Sequence, residues 1–226
     1  MCGIIAVVRR RSERDVPEAD TVLAQLVASA GDLAPKMEGL AARLESAAAH
    51  LGEADALLQG VAGLSALIDD PALCAEVRRR SEALDEAVDS IEAILDGPEV
   101  GASFHMREIE AMNAALISCR DSIWAISRDR LRAAEQVQDL ASGEVSTAGR
   151  AVLFSTHQAL SALDRLEVRG RDSAGLELQL TGHGLNLESP DVAAEIERRS
   201  DPSFASGAVR RVGDVLVVVH KAAAEI

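Results

Sequence analysis

The chain has 226 residues, of which 48% are apolar, 27% charged and only 2% aromatic, and its net charge is −14. That balance excludes a disordered tail, and apolar runs no longer than Val215 to Val219 leave no stretch for crossing a bilayer. The excess of Asp and Glu argues against nucleic acid or an anionic membrane as partner, because phosphate binding needs clustered Lys and Arg.

The length fits one or two domains. There is no Tyr and one Trp, Trp124, whereas Ala, the strongest helix former, is abundant. Helices should therefore dominate. Cys2, Cys74 and Cys119 show no metal-ligand spacing, so neither a metal nor a cofactor is expected. Their odd number and the lack of a signal peptide are expected of a reducing, cytoplasmic setting.

In chain order, Gly3 to Val8 is an apolar run that predicts a strand buried on both faces, ending at Arg9-Arg10-Arg11. Residues 16–148 carry helical patterning. Leu33, Met37, Leu40, Leu44, Ala47 and Leu51 form a heptad seam, with Gly31 closing the helix before it and Asp32 as N-cap. Leu57, Val61, Leu64 and Ile68 repeat the spacing. Asp70-Pro71 predicts a capped helix start, and Cys74, Val77, Ser81, Leu84, Val88, Ile91 and Leu95 line the helix that follows, which stops at Asp96-Gly97-Pro98. Ile109, Met112, Leu116, Cys119, Ile123 and Ile126 share one side of the next, and Ser142-Gly143 closes it. Such seams bury little area alone, so these helices should pack as a bundle or as hairpins.

A helix capped by Ser146 or Thr147 and carrying Leu153, Leu160 and Leu163 follows. It leads into a polar, glycine-containing turn from Arg169 to Gly175. Leu176, Leu178 and Leu180 then alternate with Glu177 and Gln179, as in a half-buried strand. Thr181 to Gly184 reads as a hairpin turn, Asp191 to Arg199 as a short helix and Val215 to His220 as another strand. The ending, directly after an apolar strand, is expected of a fragment or of one piece of a larger assembly.

Two segments carry chemistry. In Met1-Cys2-Gly3-Ile4-Ile5, removal of the initiator Met leaves Cys2 with a free α-amine beside its own thiol. An α-amine with a pKa near 7.7–8.0 can accept the thiol proton, so one residue supplies nucleophile and base. Gly3 allows close backbone approach. The second segment is Leu166-Glu-Val-Arg169-Gly170-Arg171-Asp172-Ser173-Ala174-Gly175, between a helix and a strand. Elsewhere the blander readings stand. Cys74 and Cys119 lie on apolar seams, the five His are scattered, Arg78-Arg79-Arg80 is a solvated helix face, Arg9-Arg10-Arg11 is a strand end, and Asp69-Asp70 is a cap.

Together, MCGII and RGRDSAG resemble the class II glutamine amidotransferases, which are N-terminal-nucleophile hydrolases, and most of all the glutaminase domain of glucosamine-6-phosphate synthase. The resemblance covers roughly residues 1–10 and 150–182. It implies an α+β chain with a partial αββα glutaminase fold, formed by residues 1–15 and 149–226, and a helical insertion over 16–148. It implies hydrolysis of the side-chain amide of L-glutamine through a Cys2 thioester, with ammonia passed to a synthase domain acting on fructose 6-phosphate and with homo-oligomer formation. Arg169, Gly170, Asp172 and Ser173 would support the site beside Cys2 and Gly3.

Arg171 departs from the family's aromatic residue at that position. The two motifs are also far more widely separated than in relatives. The family's HTRWATHG-type glutamine clamp and the Asn-Gly of its oxyanion hole are missing, and each lost oxyanion donor costs about 10²–10³-fold in rate. The 226 residues alone are therefore expected to be a poor glutaminase. Two other readings remain open: a catalytically incomplete interaction or regulatory module built on the helices, and a glutaminase serving another acceptor.

Overall fold

The structure, a computed structural model, describes residues 4–10, 12–97, 104–165, 173–200 and 206–223. It is mostly helical with one three-stranded antiparallel sheet, an α+β chain. It divides into two compact units: residues 11–143 form one, and residues 1–10 with 144–226 form the other.

The helical unit comprises α1 (Ala19–Asp32), α2 (Leu40–Leu58), α3 (Gly60–Asp69), α4 (Pro71–Leu95), α5 (Met106–Trp124), a π-helical stretch (Ala125–Leu131) and α6 (Arg132–Leu140). α2 packs on α1 and α5, and α4 packs on the same two helices, which closes a ring of four. Its interior is aliphatic. Val22 and Leu26, Leu44 and Leu51, Val77 and Val88, and Met112 and Cys119 are all buried. Each such side chain contributes roughly 1.5–3 kcal/mol when removed from water.

The seam from Leu33 to Leu51 is not one helix. α1 runs through Gly31 to Asp32, and Leu33 caps it. Pro35 disfavours helical geometry in the residue before it, and Gly39, with φ 62°, turns the chain into α2. Arg43 bridges this turn by donating to the carbonyls of Asp32, Ala34 and Lys36. Leu33 is still buried, but Met37 is exposed.

The next seam is broken too. Gln59 is extended and Gly60 has φ 70°, so α3 leaves α2 at 85°. Arg14 donates to the carbonyls of Ala56, Leu57 and Gln59 at this break between the two helices. Val61 to Leu67 are all buried, and a Cβ on Gly63 would sit 2.1 Å from the Leu58 carbonyl. No single described helix is long and apolar enough to cross a membrane.

The predicted cap at Asp70 is present: its Oδ1 accepts from Ala72 and Leu73 N–H, both at 3.0 Å. In α4 the apolar stripe starts at buried Leu73 rather than at half-buried Cys74. Ile126 and Leu131 are five apart, and the π-helical turn between them keeps both inside. The same turn lets Arg130 Nε reach Asp55 Oδ1 on α2 at 2.8 Å, a largely buried pair.

The second unit contains α7 (Thr147–Asp164), β1 (Ser173–Leu180), α8 (Pro190–Arg198), β2 (Ala208–Val212) and β3 (Val215–Ala223). Ser146 caps α7 by accepting from Gly149 N–H. The sheet order is β1-β3-β2. Leu180 faces Leu216 and Ser173 faces Ala223, while Val209 faces Val218. β2 and β3 form a hairpin over Gly213-Asp214, with Gly213 at φ 60°. Leu187, Val209 and Leu216 form its small core, packed by Val192 and Ile196 of α8.

Two expectations are corrected here. Residues 4–10 form no strand, and Ile4 and Val8 are 95% and 92% exposed. A strand needs a neighbouring backbone to pair with, and the sheet β1-β3-β2 does not include residues 4–10. Thr181 to Gly184 is not a hairpin turn either. β1 pairs with β3, so the chain there leads into α8 instead. His183 secures this loop by accepting from Leu185 N–H and donating Nε2–H to the Asp214 carbonyl.

Candidate functional site

Of the six residues assigned from the sequence to the site, Cys2, Gly3, Arg169, Gly170 and Asp172 lie outside the described residues. Ser173 is described. It opens β1 opposite Ala223 and is exposed. The 160-odd residues separating the two motifs in sequence include all of the helical unit, yet residues 1–10 and 144–226 share one compact unit.

One long-range side-chain contact of this unit is built on α7. Ser146 starts the helix, and one turn of it presents Phe154, Ser155 and Gln158 on neighbouring positions. Arg9 meets all three. Its Nε donates to Ser155 Oγ at 2.8 Å, its Nη2 donates to Gln158 Oε1 at 2.6 Å, and its guanidinium carbon stands 4.6 Å from the Phe154 ring centre. The Ser155 hydroxyl donates its own proton to the Ala151 carbonyl at 2.9 Å, which leaves an oxygen lone pair for Arg9. His157 stacks on Phe154 with ring centres 6.3 Å apart. Burial pushes the Arg9 guanidinium below its ordinary pKa, but arginine stays charged at any physiological pH. Arg9, read from sequence as the end of a strand, is thus engaged through its side chain. No sequence pattern announces that contact, because it joins residues 146 apart.

The two described cysteines are poor nucleophiles. Burial pushes the Cys119 thiol up to about 11, and its sulfur lies 3.9 Å from the Leu44 carbonyl. Burial also raises Cys74, against the opposing pull of Arg78. Both are free thiols. A thiol needs its thiolate to attack, so neither is poised for chemistry.

The histidines serve locally. His50 Nδ1 meets Gln25 Oε1 at 2.7 Å, and His105 N–H donates to Glu108 Oε2 at the start of α5. Among the described residues, no group of three or more His, Cys, Asp or Glu converges on a common point. Arg78-Arg79-Arg80 is a solvated helix face in part: Arg79 and Arg80 share Glu76, while Arg78 reaches Glu135 on α6. No family model, curated protein or solved structure matches the chain.

Proposed function

We propose that the chain is the glutaminase portion of a glutamine amidotransferase of the N-terminal-nucleophile class. Cys2 is the nucleophile and its own α-amine is the base. The amine takes the thiol proton, and the thiolate attacks the side-chain amide carbon of glutamine. The tetrahedral oxyanion collapses, the proton passes to departing ammonia, and a glutamyl thioester remains on Cys2. Water then releases glutamate. The ammonia goes to a synthase domain, of which one acting on fructose 6-phosphate is the first choice. A partial αββα fold, interrupted by the helical unit, belongs to the same reading.

The observation that carries the proposal is the pair of segments MCGII and RGRDSAG. Two findings support it. Arg9, seven residues after Cys2, is bonded to α7, the helix that precedes the second segment. Burial raises the thiol of buried Cys119 to about 11 and raises that of half-buried Cys74 as well, so neither competes as a ready nucleophile.

Covalent labelling by 6-diazo-5-oxo-L-norleucine, followed by peptide mapping, tests it. One adduct on Cys2, lost in Cys2→Ala and absent from Cys74 and Cys119, is expected. Absence of an adduct in protein shown to lack Met1 refutes it.

A second reading makes the helical unit a self-association module. Ile117 and Trp124 favour it, because they lie seven residues apart on α5 and are 61% and 55% exposed. Sedimentation should then find a dimer that Ile117→Glu with Trp124→Glu converts to monomer. A monomeric parent chain refutes that reading.

A further inference from the structure

We propose that the outer edge of β1 is a docking surface for a second copy of this chain, the two β1 strands pairing antiparallel about a two-fold axis at Leu178 and joining two three-stranded sheets into one. This pairing is independent of Cys2, and it lies in the unit that does not carry Ile117 and Trp124.

The two edges of the sheet differ. In the order β1-β3-β2, both β1 and β2 are edge strands. β2 is blunted. Its Val209 N–H points away from β3 and is taken by the Arg199 carbonyl at 2.9 Å, and Arg210 and Arg211 stand on the strand. Charged side chains and covering segments are how sheets avoid edge-to-edge contact. β1 lacks these devices: Ser173–Leu180 contains no Pro, Lys or Arg, and none of its residues is buried. Its free backbone groups follow from the register. Val209 faces Val218 and directs its N–H outward, so Val218 directs its own N–H and C=O to Leu178 on β1. Alternation then turns the N–H and C=O of Gly175, Glu177 and Gln179 away from the sheet. Among the described residues, none bonds these groups.

The edge is complementary to itself. Leu176-Glu177-Leu178-Gln179-Leu180 alternates leucine with one acid and one amide, placed symmetrically about Leu178. A two-fold interface needs such a patch, because both copies present the same surface. With the axis at Leu178, that residue meets its own counterpart, Leu176 meets Leu180 of the second copy, and Glu177 meets Gln179. No other axis along the strand pairs all three leucines with leucines. An axis one residue earlier sets two Glu177 carboxylates directly opposite, which destabilises. The Gln179 amide already donates to Glu177 Oε1 within the chain at 2.7 Å, so the same amide–carboxylate bond is available across the axis. The leucines sit opposite His220, Val218 and Leu216 of β3 and are only half-buried, so pairing covers the surface they still expose. So short an edge makes an interface well under the roughly 1,600 Å² of a standard one, and the dimer is therefore weak and concentration-dependent.

Sedimentation of the full chain should show a dimer whose share rises with concentration up to about 1 mM. Gln179→Glu sets carboxylates opposite each other at two places across the axis and should weaken association about 10-fold. Adding Glu177→Lys makes both places opposite in charge and should return association to within about 3-fold of the parent, a rescue that a folding defect would not allow. Both side chains are exposed, so circular dichroism should be unchanged in either variant. Leu178→Cys should form a disulfide between copies under mild oxidation, located by peptide mapping, because the opposed Cα atoms stand about 4.5 Å apart. Leu176→Cys should not, since its counterpart lies about 13 Å away along the strand.

A chain that stays monomeric at about 1 mM overturns the pairing. So does Gln179→Glu that associates like the parent, or a disulfide formed by Leu176→Cys and not by Leu178→Cys. A dimer lost in Ile117→Glu with Trp124→Glu but kept in Gln179→Glu belongs to α5 and overturns it as well.

Discussion

The two units differ most in how completely they are filled. Among the described residues, the twelve largest side chains with essentially no exposure, Leu26, Leu44, Leu51, Ile91, Ile126 and Leu131 among them, all belong to the helical unit. The buried apolar residues of the other unit, such as Phe154, Val209 and Leu216, each keep a few per cent of their surface. The cause is architectural. Four helices in a ring cover one another's seams, whereas a three-stranded sheet with one short helix on its small cluster covers less. Stability is thus concentrated in the unit without the two motifs. The unit that carries them is held by fewer contacts, and a polar one such as Arg9 counts for more there.

The sharpest way to break this comparison is a cavity in each unit. Leu44→Ala should cost about 2–5 kcal/mol in urea unfolding followed by helical circular dichroism, because its surroundings have no room to collapse. Val209→Ala, in a smaller and less enclosed cluster, should cost about 1–2 kcal/mol and act on a separate, earlier transition seen by amide exchange of β2 and β3. Equal costs in a single shared transition would contradict the distinction.

Two further substitutions sharpen it inside the helical unit. Gly63→Ala places a Cβ against the Leu58 backbone and should cost about 1–3 kcal/mol, read from the urea midpoint. Arg130→Ala removes the charged partner of Asp55, which keeps only the Gln59 amide, and should cost about 1–2 kcal/mol by the same measurement.

The smallest effect is electrostatic. Hydrogen bonding from Arg79, with Arg80 beside it, holds the Glu76 carboxyl at about 2, well below the ordinary 4.5. Arg120 likewise holds Glu92 below its usual range. A carboxyl whose folded pKa is depressed stabilises fully above its unfolded value and loses that contribution as pH falls through the folded one. Glu76→Gln should therefore lower Tm slightly near neutral pH, and the difference from the parent should vanish between pH 4.5 and about 2. Both groups are solvent-facing, so added salt should shrink the difference as well.

What the sequence made legible is local. The cap at Asp70 and the stop near Asp96 depend on neighbouring residues, and the α4 boundaries follow them. The alternation from Leu176 to Leu180 reads directly as β1. Apolar spacing alone overran two breaks, at Pro35 and at Gln59-Gly60, because a heptad count ignores backbone geometry. The five-residue step from Ile126 to Leu131 was the available sign of the π-helical turn. The two-residue Gly213-Asp214 link between apolar strands was the sign of the hairpin. Partners distant in sequence leave no such mark. That Ile4 to Val8 lacks a strand neighbour, and that Arg9 meets Phe154, depends on pairings that no local pattern encodes.

The central claim is that the first residue of the mature chain performs amide cleavage. Its most direct measurement is the mass of the N-terminal peptide after the protein is mixed with glutamine and quenched in acid. Met1 should be absent and Cys2 should carry one glutamyl group, which hydroxylamine removes. A peptide that retains Met1, or a free Cys2 that gains no acyl group at saturating glutamine, would contradict it.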